Sequence, residues 1–123
     1  MAAEEGAARR ARAQGVKAQK LQDALCALDG ELGRWADEFV FGEVWEPGVL
    51  AFEERMLVAI AALAALNRRN QLRNYLHGAL QLGIEADKLR EAMRMMTVYA
   101  GFPVAIEGML ELDAALAVHG RAS

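Results

Sequence analysis

Hydroxyl and thiol nucleophiles are almost missing from this sequence of 123 residues: Thr97 is the only threonine, Ser123 the only serine and Cys26 the only cysteine. A serine-nucleophile hydrolase is therefore excluded. So are an intramolecular disulfide, a C-x-x-C redox pair and a cysteine-rich zinc site. Two histidines, His77 and His119, argue against a His-rich metal centre. No glycine-rich phosphate cradle of either common pattern occurs. The net charge of −3 argues against a nucleic-acid surface. Long apolar runs are also lacking. The longest, Met56 to Leu66, has eleven residues, about half of a membrane span, and reads as a buried helix. The first ten residues contain no apolar stretch that could serve as a signal peptide. The expectation is a cytoplasmic protein that does not engage a membrane.

What is present is apolar and helix-favouring. Hydrophobic residues make up 54% of the chain, and with glycine the apolar share reaches roughly 60%, above the usual 45–50%. Alanine and leucine supply most of it, while the β-branched residues that strands favour are few. The predicted fold class is all-α, a single domain over residues 1–123 with about six helices. Residues 1–28 form an N-terminal helical arm in this reading. Its first twenty residues hold Arg9, Arg10, Arg12, Lys17 and Lys20 against Glu4 and Glu5. They read as a solvated helix or frayed tail, with a basic arm for an anionic partner as the alternative.

Periodicity and breakers place the helices. The first runs from about Ala13 to Leu28 and stops at Asp29-Gly30. The second starts near Glu31 and ends in the loop Phe41 to Gly48. The third spans about Phe52 to Leu66, where Asn67 ends it. The fourth, Arg68 to Leu82, stops at Gly83. The fifth runs from Glu85 to Ala100. Gly101-Phe102-Pro103 then sets a helix stop beside a helix start, and the last helix reaches about Val118. Ile106, Met109, Leu110 and Leu116 form its expected buried stripe, with Glu107 and Glu111 on one face.

Four places set polar groups beside apolar walls. Glu43, between large apolar neighbours, is a candidate general acid or base if desolvated; otherwise it is a solvated carboxylate or a helix cap. Arg55 shares a stripe with Val58, Ala59, Ala62 and Leu66, so it either binds an anion or a carboxylate partner or snorkels to water. Arg73, His77 and Gln81 form a polar stripe that places His77 toward water or a partner subunit, while Tyr75 points inward. Tyr99 stands at the break before Gly101, either delivering a hydroxyl into a cleft or stapling the junction.

Several short pieces occur in a telling order: Gly42-Glu43-Val44-Trp45, then Pro47-Gly48, then Arg55-Met-Leu-Val-Ala-Ile-Ala. Leu72-Arg73, Gly83 and Tyr99-Ala100-Gly101-Phe102-Pro103 follow. This stretch, within residues 42–118, resembles the carboxymuconolactone decarboxylase family, in its decarboxylase branch. The resemblance implies the alkylhydroperoxidase D-like helical fold, assembled as a homotrimer or homohexamer with the active site near or between subunits. It also implies decarboxylation of a carboxylated lactone in aromatic catabolism without metal or organic cofactor. The related peroxidase branch uses two cysteines at the positions of Arg68 and Gln71, so a thiol peroxidase is disfavoured. The family histidine corresponds to Tyr75. His77 lies two residues on, rotated by about 200° along a helix. The loop between Trp45 and Pro47-Gly48 is one residue shorter than usual in the branch.

The expected function is a cofactor-independent lyase for a small carboxylated lactone or related enolisable acid. Arg55 and Arg73 would hold substrate carboxylates. Glu43, Tyr75, Tyr99 and His77 are the catalytic candidates, with Trp45 shaping the pocket. No metal or cofactor is expected; the partners are a small carboxylate substrate and further copies of the chain. The alternative is a non-catalytic oligomeric binding or accessory paralogue of the same fold.

Overall fold

Helix ends follow the chemistry of their capping residues. Asn67 (φ 59°), Gly83 (φ 98°) and Gly101 (φ 110°) adopt the left-handed conformation, which glycine enters freely and asparagine tolerates. After Gly83 donates to the Leu80 carbonyl at 3.1 Å, Ile84 donates to that of Ala79 at 3.0 Å. Asn67 and Arg68 repeat the pattern on Ala64 and Leu63, at 3.0 and 2.9 Å. Both ends thereby bond carbonyls that the helix leaves unpaired. Asp29 is extended and caps the next helix through its side chain, which accepts from the Leu32 N–H at 3.1 Å.

The computed structural model describes residues 2–122; Ser123, the only serine, lies outside them. Among the described residues the chain is all-α, with seven α-helices and no strand. They are α1 (Ala2–Gln14), α2 (Ala18–Leu28), α3 (Gly30–Trp35), α4 (Phe52–Ala65), α5 (Arg69–Leu82), α6 (Ala86–Tyr99) and α7 (Phe102–Ala122). A 3-10 turn, Gly15–Lys17, joins α1 to α2, and a π-helical segment, Ala36–Val44, continues α3. The chain divides into two compact units, one ending at Ala51 and the other beginning at Phe52.

In the first unit α1 packs along the π-helical segment. The approach is so close that a Cβ on Gly6 would collide with the backbone carbonyl of Asp37. Arg10, only 4% exposed, forms an ion pair with Asp37, whose other oxygen accepts from Gln22 at 3.2 Å. Arg9 donates to the carbonyls of Phe41 and Gly42 at 2.9 and 2.8 Å, satisfying acceptors near the end of the segment. The frayed-tail alternative is thus corrected, while the helix that forms instead is largely solvated, burying only Gly6, Arg10 and Ala13. The first helix begins at Ala2 rather than Ala13, and Arg9 and Arg10 are bonded within the unit. Periodicity missed this because α1 has few large apolar residues and seats itself through glycine and ion pairs.

The wide turn of the π-helical segment is visible in the Trp45 N–H, which donates five residues back to Val40 at 2.9 Å. It buries Phe41 and Gly42. Trp45, also buried, sits 5.3 Å from the Phe41 ring at a 37° tilt. Trp35 is half exposed.

The second unit is a helical cluster in which α7 packs on α5 and α6, and α5 on α4. Its largest fully buried side chains are Met56, Ile60, Leu72, Leu76, Leu89, Met93 and Leu112. The predicted stripe of the last helix is out of phase. Ile106 and Leu110 are exposed, while Ala105, Leu112 and Ala115 face inward. That helix is apolar on most sides, so its sequence alone does not choose the inner face. On α4 the inner face is Met56, Ile60 and Ala64, whereas Val58, and Leu66 just past its end, are exposed.

Candidate active site

A buried polar cluster of the second unit lies between α5 and α7. Glu111, in mid-α7 between Leu110 and Leu112, is only 2% exposed. A buried carboxylate needs charged or hydrogen-bonding partners, and two arginines one turn apart on α5 provide them. Arg73 donates from Nε to Oε1 at 2.7 Å and from Nη2 to Oε2 at 3.2 Å. Arg69 donates from Nε to Oε2 at 2.9 Å. The hydrogen bond from Arg73 is the main cause that holds the Glu111 carboxyl below the usual carboxylate range, against the opposing effect of burial. Glu111 in turn pushes the Arg73 guanidinium up. At neutral pH the group is therefore an ionised acceptor with no proton to give.

The other expected site residues divide between the units. Arg55, in the first turn of α4, and Tyr75, on α5, are half buried. His77 corrects its expected placement: it is 3% exposed rather than turned to water, and its Nε2 lies 2.9 Å from the Gln81 carboxamide nitrogen. The reason is that α5 is buried without a break from Leu76 to Leu80. Tyr99, at the end of α6, is 76% exposed.

In the first unit Glu43 is exposed at the end of the π-helical segment, in keeping with the solvated-carboxylate alternative and not with a desolvated one. It stands on the edge of an open depression of about 720 Å³ lined chiefly by Leu25, Leu32, Trp35, Phe39 and Val40. Trp45 is buried against Phe41 and does not line that depression.

Arg69 and Glu111 were not among the expected site residues. The signal for them was available: a carboxylate flanked by leucines, and an arginine four residues before Arg73. Among the described residues no group of three or more His, Cys, Asp or Glu could hold a metal ion. No helix among them is long and apolar enough to cross a membrane.

Comparison with known proteins places these positions in a wider context. Residues 30–114 match the Carboxymuconolactone decarboxylase family. Over 71 residues the chain is 38% identical to a 4-carboxymuconolactone decarboxylase of Acinetobacter baylyi, covering 58% of this chain and 53% of that protein. The chain spans about half the length of this curated relative.

Proposed function

The chain belongs to the carboxymuconolactone decarboxylase family, and from that premise we propose that it is a cofactor-independent carboxy-lyase. Its substrate is a small carboxylated lactone or related enolisable acid, and 4-carboxymuconolactone, named in the Acinetobacter baylyi relative, is the first to test. The observation that carries this reading is the family match over residues 30–114, a range that holds every expected site residue. The enzyme acts in the cytoplasm as a homotrimer or homohexamer. Exposed Val98, Tyr99, Phe102 and Leu110 support self-association, because apolar surface of that kind favours burial between subunits.

Decarboxylation breaks the bond between the substrate carbon and its carboxylate carbon. The electron pair stays on the substrate as a dienolate, carbon dioxide leaves, and a proton must then reach carbon. Arg55 and Arg73 orient the carboxylates and offset the charge that develops. Tyr75 delivers the proton, its phenol hydroxyl being an O–H donor rather than a base. The tyrosinate formed recovers its proton from water. Glu43 and Tyr99, both exposed, act only if assembly covers them. His77, buried two residues along α5 from Tyr75 and beside Gln81, serves as a polar support, and Trp45 packs on Phe41 within the unit that carries Glu43.

A spectrophotometric assay of 4-carboxymuconolactone loss tests the reading directly. Turnover is expected; its absence with folded protein removes that substrate. The second reading, an accessory paralogue without catalysis, is favoured by one observation. Arg73 already spends Nε and Nη2 on Glu111, which limits what it can offer a substrate.

A further inference from the structure

We propose that Arg69 and Arg73, held by Glu111, form a binding site for a carboxylate of a small organic acid. In it Glu111 acts as the positioning residue. For the identity of the acid the proposal rests on the lyase reading; for the site itself it rests on the geometry below.

Charge is the first argument. One buried carboxylate receives two guanidinium groups, leaving a surplus of one positive charge. A simple cross-link between α5 and α7 needs only one arginine. A second at the same carboxylate adds repulsion between like charges. Arg69 also sits in the first turn of a 14-residue helix, where the helix dipole disfavours a cation and favours an anion. Both effects are relieved by a bound anion.

Donor geometry is the second. Each guanidinium carries five N–H donors in a fixed plane. Arg69 uses only Nε toward Glu111, and Arg73 uses Nε and Nη2. Both terminal nitrogens of Arg69 and Nη1 of Arg73 remain outside these bonds. The side chains are 42% and 48% exposed, whereas that of Glu111 is 3% exposed. The carboxylate is thus the inner anchor, and the guanidinium groups reach the surface pre-oriented. Arginines four apart on a helix are neighbours on one face, and their planar forks suit a carboxylate. Pre-orientation reduces the entropy lost when the ligand binds.

The test is titration of the full-length chain with tricarballylate, followed by NMR chemical shifts, alongside the lactone assay. Arg69→Gln is expected to weaken tricarballylate binding about tenfold or more, the loss of one charge-assisted hydrogen bond to the ligand, whereas Glu111→Gln, which adds positive charge but releases both guanidinium groups from their anchor, is expected to weaken it less. Glu111→Asp should recover part of it. Arg90→Gln, which removes the cation paired with Asp113 at 3.3 Å, serves as a control and should leave binding unchanged. No binding by the wild-type chain, or wild-type affinity in Arg69→Gln, overturns the site. If Glu111→Gln does not fold, half-exposed Arg69 still decides the matter. The two readings separate cleanly. Binding lost in Arg69→Gln without any lactone turnover upholds the site and removes the lyase substrate. Turnover with KM unchanged in Arg69→Gln removes the site and upholds the lyase. Where both hold, Arg69→Gln raises KM and leaves kcat within about threefold, since Arg69 contributes to binding rather than to chemistry.

Discussion

Arg73 and Glu111 meet through two parallel hydrogen bonds, Nε to Oε1 at 2.7 Å and Nη2 to Oε2 at 3.2 Å, joining α5 to α7. The pair lies 38 residues apart in sequence and buries its carboxylate while its cation reaches solvent. Its energetic character follows from that asymmetry. Loss of the carboxylate frees two arginines that water can solvate, whereas loss of the arginines would strand a buried charge.

Acid should weaken this junction. The folded-state pKa of Glu111 is lowered, chiefly by the Arg73 hydrogen bond, so the junction contributes stability above the unfolded carboxyl value of about 4.3. That contribution fades as pH falls through the folded value. Glu111→Gln should cost about 1–3 kcal/mol at pH 7, and the gap to wild type should narrow as pH falls below the unfolded carboxyl value and close once the folded value is passed. Urea unfolding across this range measures it. A gap that persists undiminished in acid would assign the cost to packing rather than charge.

Gly6→Ala should behave against the usual rule. Alanine for glycine within a helix ordinarily stabilises by up to about 1 kcal/mol. Here the added methyl would overlap the Asp37 carbonyl oxygen, and a loss of about 1–3 kcal/mol is expected from the forced backbone shift. Thermal unfolding followed by circular dichroism reads the sign. Stabilisation would mean that α1 does not seat on the π-helical segment.

Two leucines on either side of Glu111 should differ sharply. Leu112 is fully buried and Leu110 is 56% exposed. Leu112→Ala should cost about 2–5 kcal/mol, against about 0.5 kcal/mol or less for Leu110→Ala in the isolated chain. Comparable denaturation midpoints for the two variants would refute the inner face assigned to α7.

Tyr75→Phe removes only a hydroxyl. With Tyr75 as proton donor, kcat on the lactone should fall by about 10²–10⁴-fold with little change in KM. An unchanged kcat would assign the proton to another group, with Glu43 and Tyr99 next in order.

Helix ends were the most legible part of the sequence, because a left-handed residue announces itself by type. Asn67, Gly83 and Gly101 all turn the chain as their identities require. Faces were harder to read. Polarity along α5 puts Arg73, His77 and Gln81 in one stripe, yet His77 is buried. A polar residue goes inside wherever a neighbour satisfies it, and that neighbour need not be near in sequence. Glu111 is hidden for the same reason, its burial being set by arginines some forty positions earlier. The π-helical segment left no mark because one extra residue per turn looks like an ordinary helix in composition.

The Phe41–Trp45 contact has an optical consequence. Both tryptophans of the chain, Trp35 and Trp45, belong to the unit that ends at Ala51, and none follows Phe52. Selective tryptophan emission therefore watches one unit alone, whereas amide ellipticity sums over both. Coincident transitions from the two signals would mean one cooperative melt. Separated transitions would yield an individual melting curve for each half, without a label or a cut in the chain.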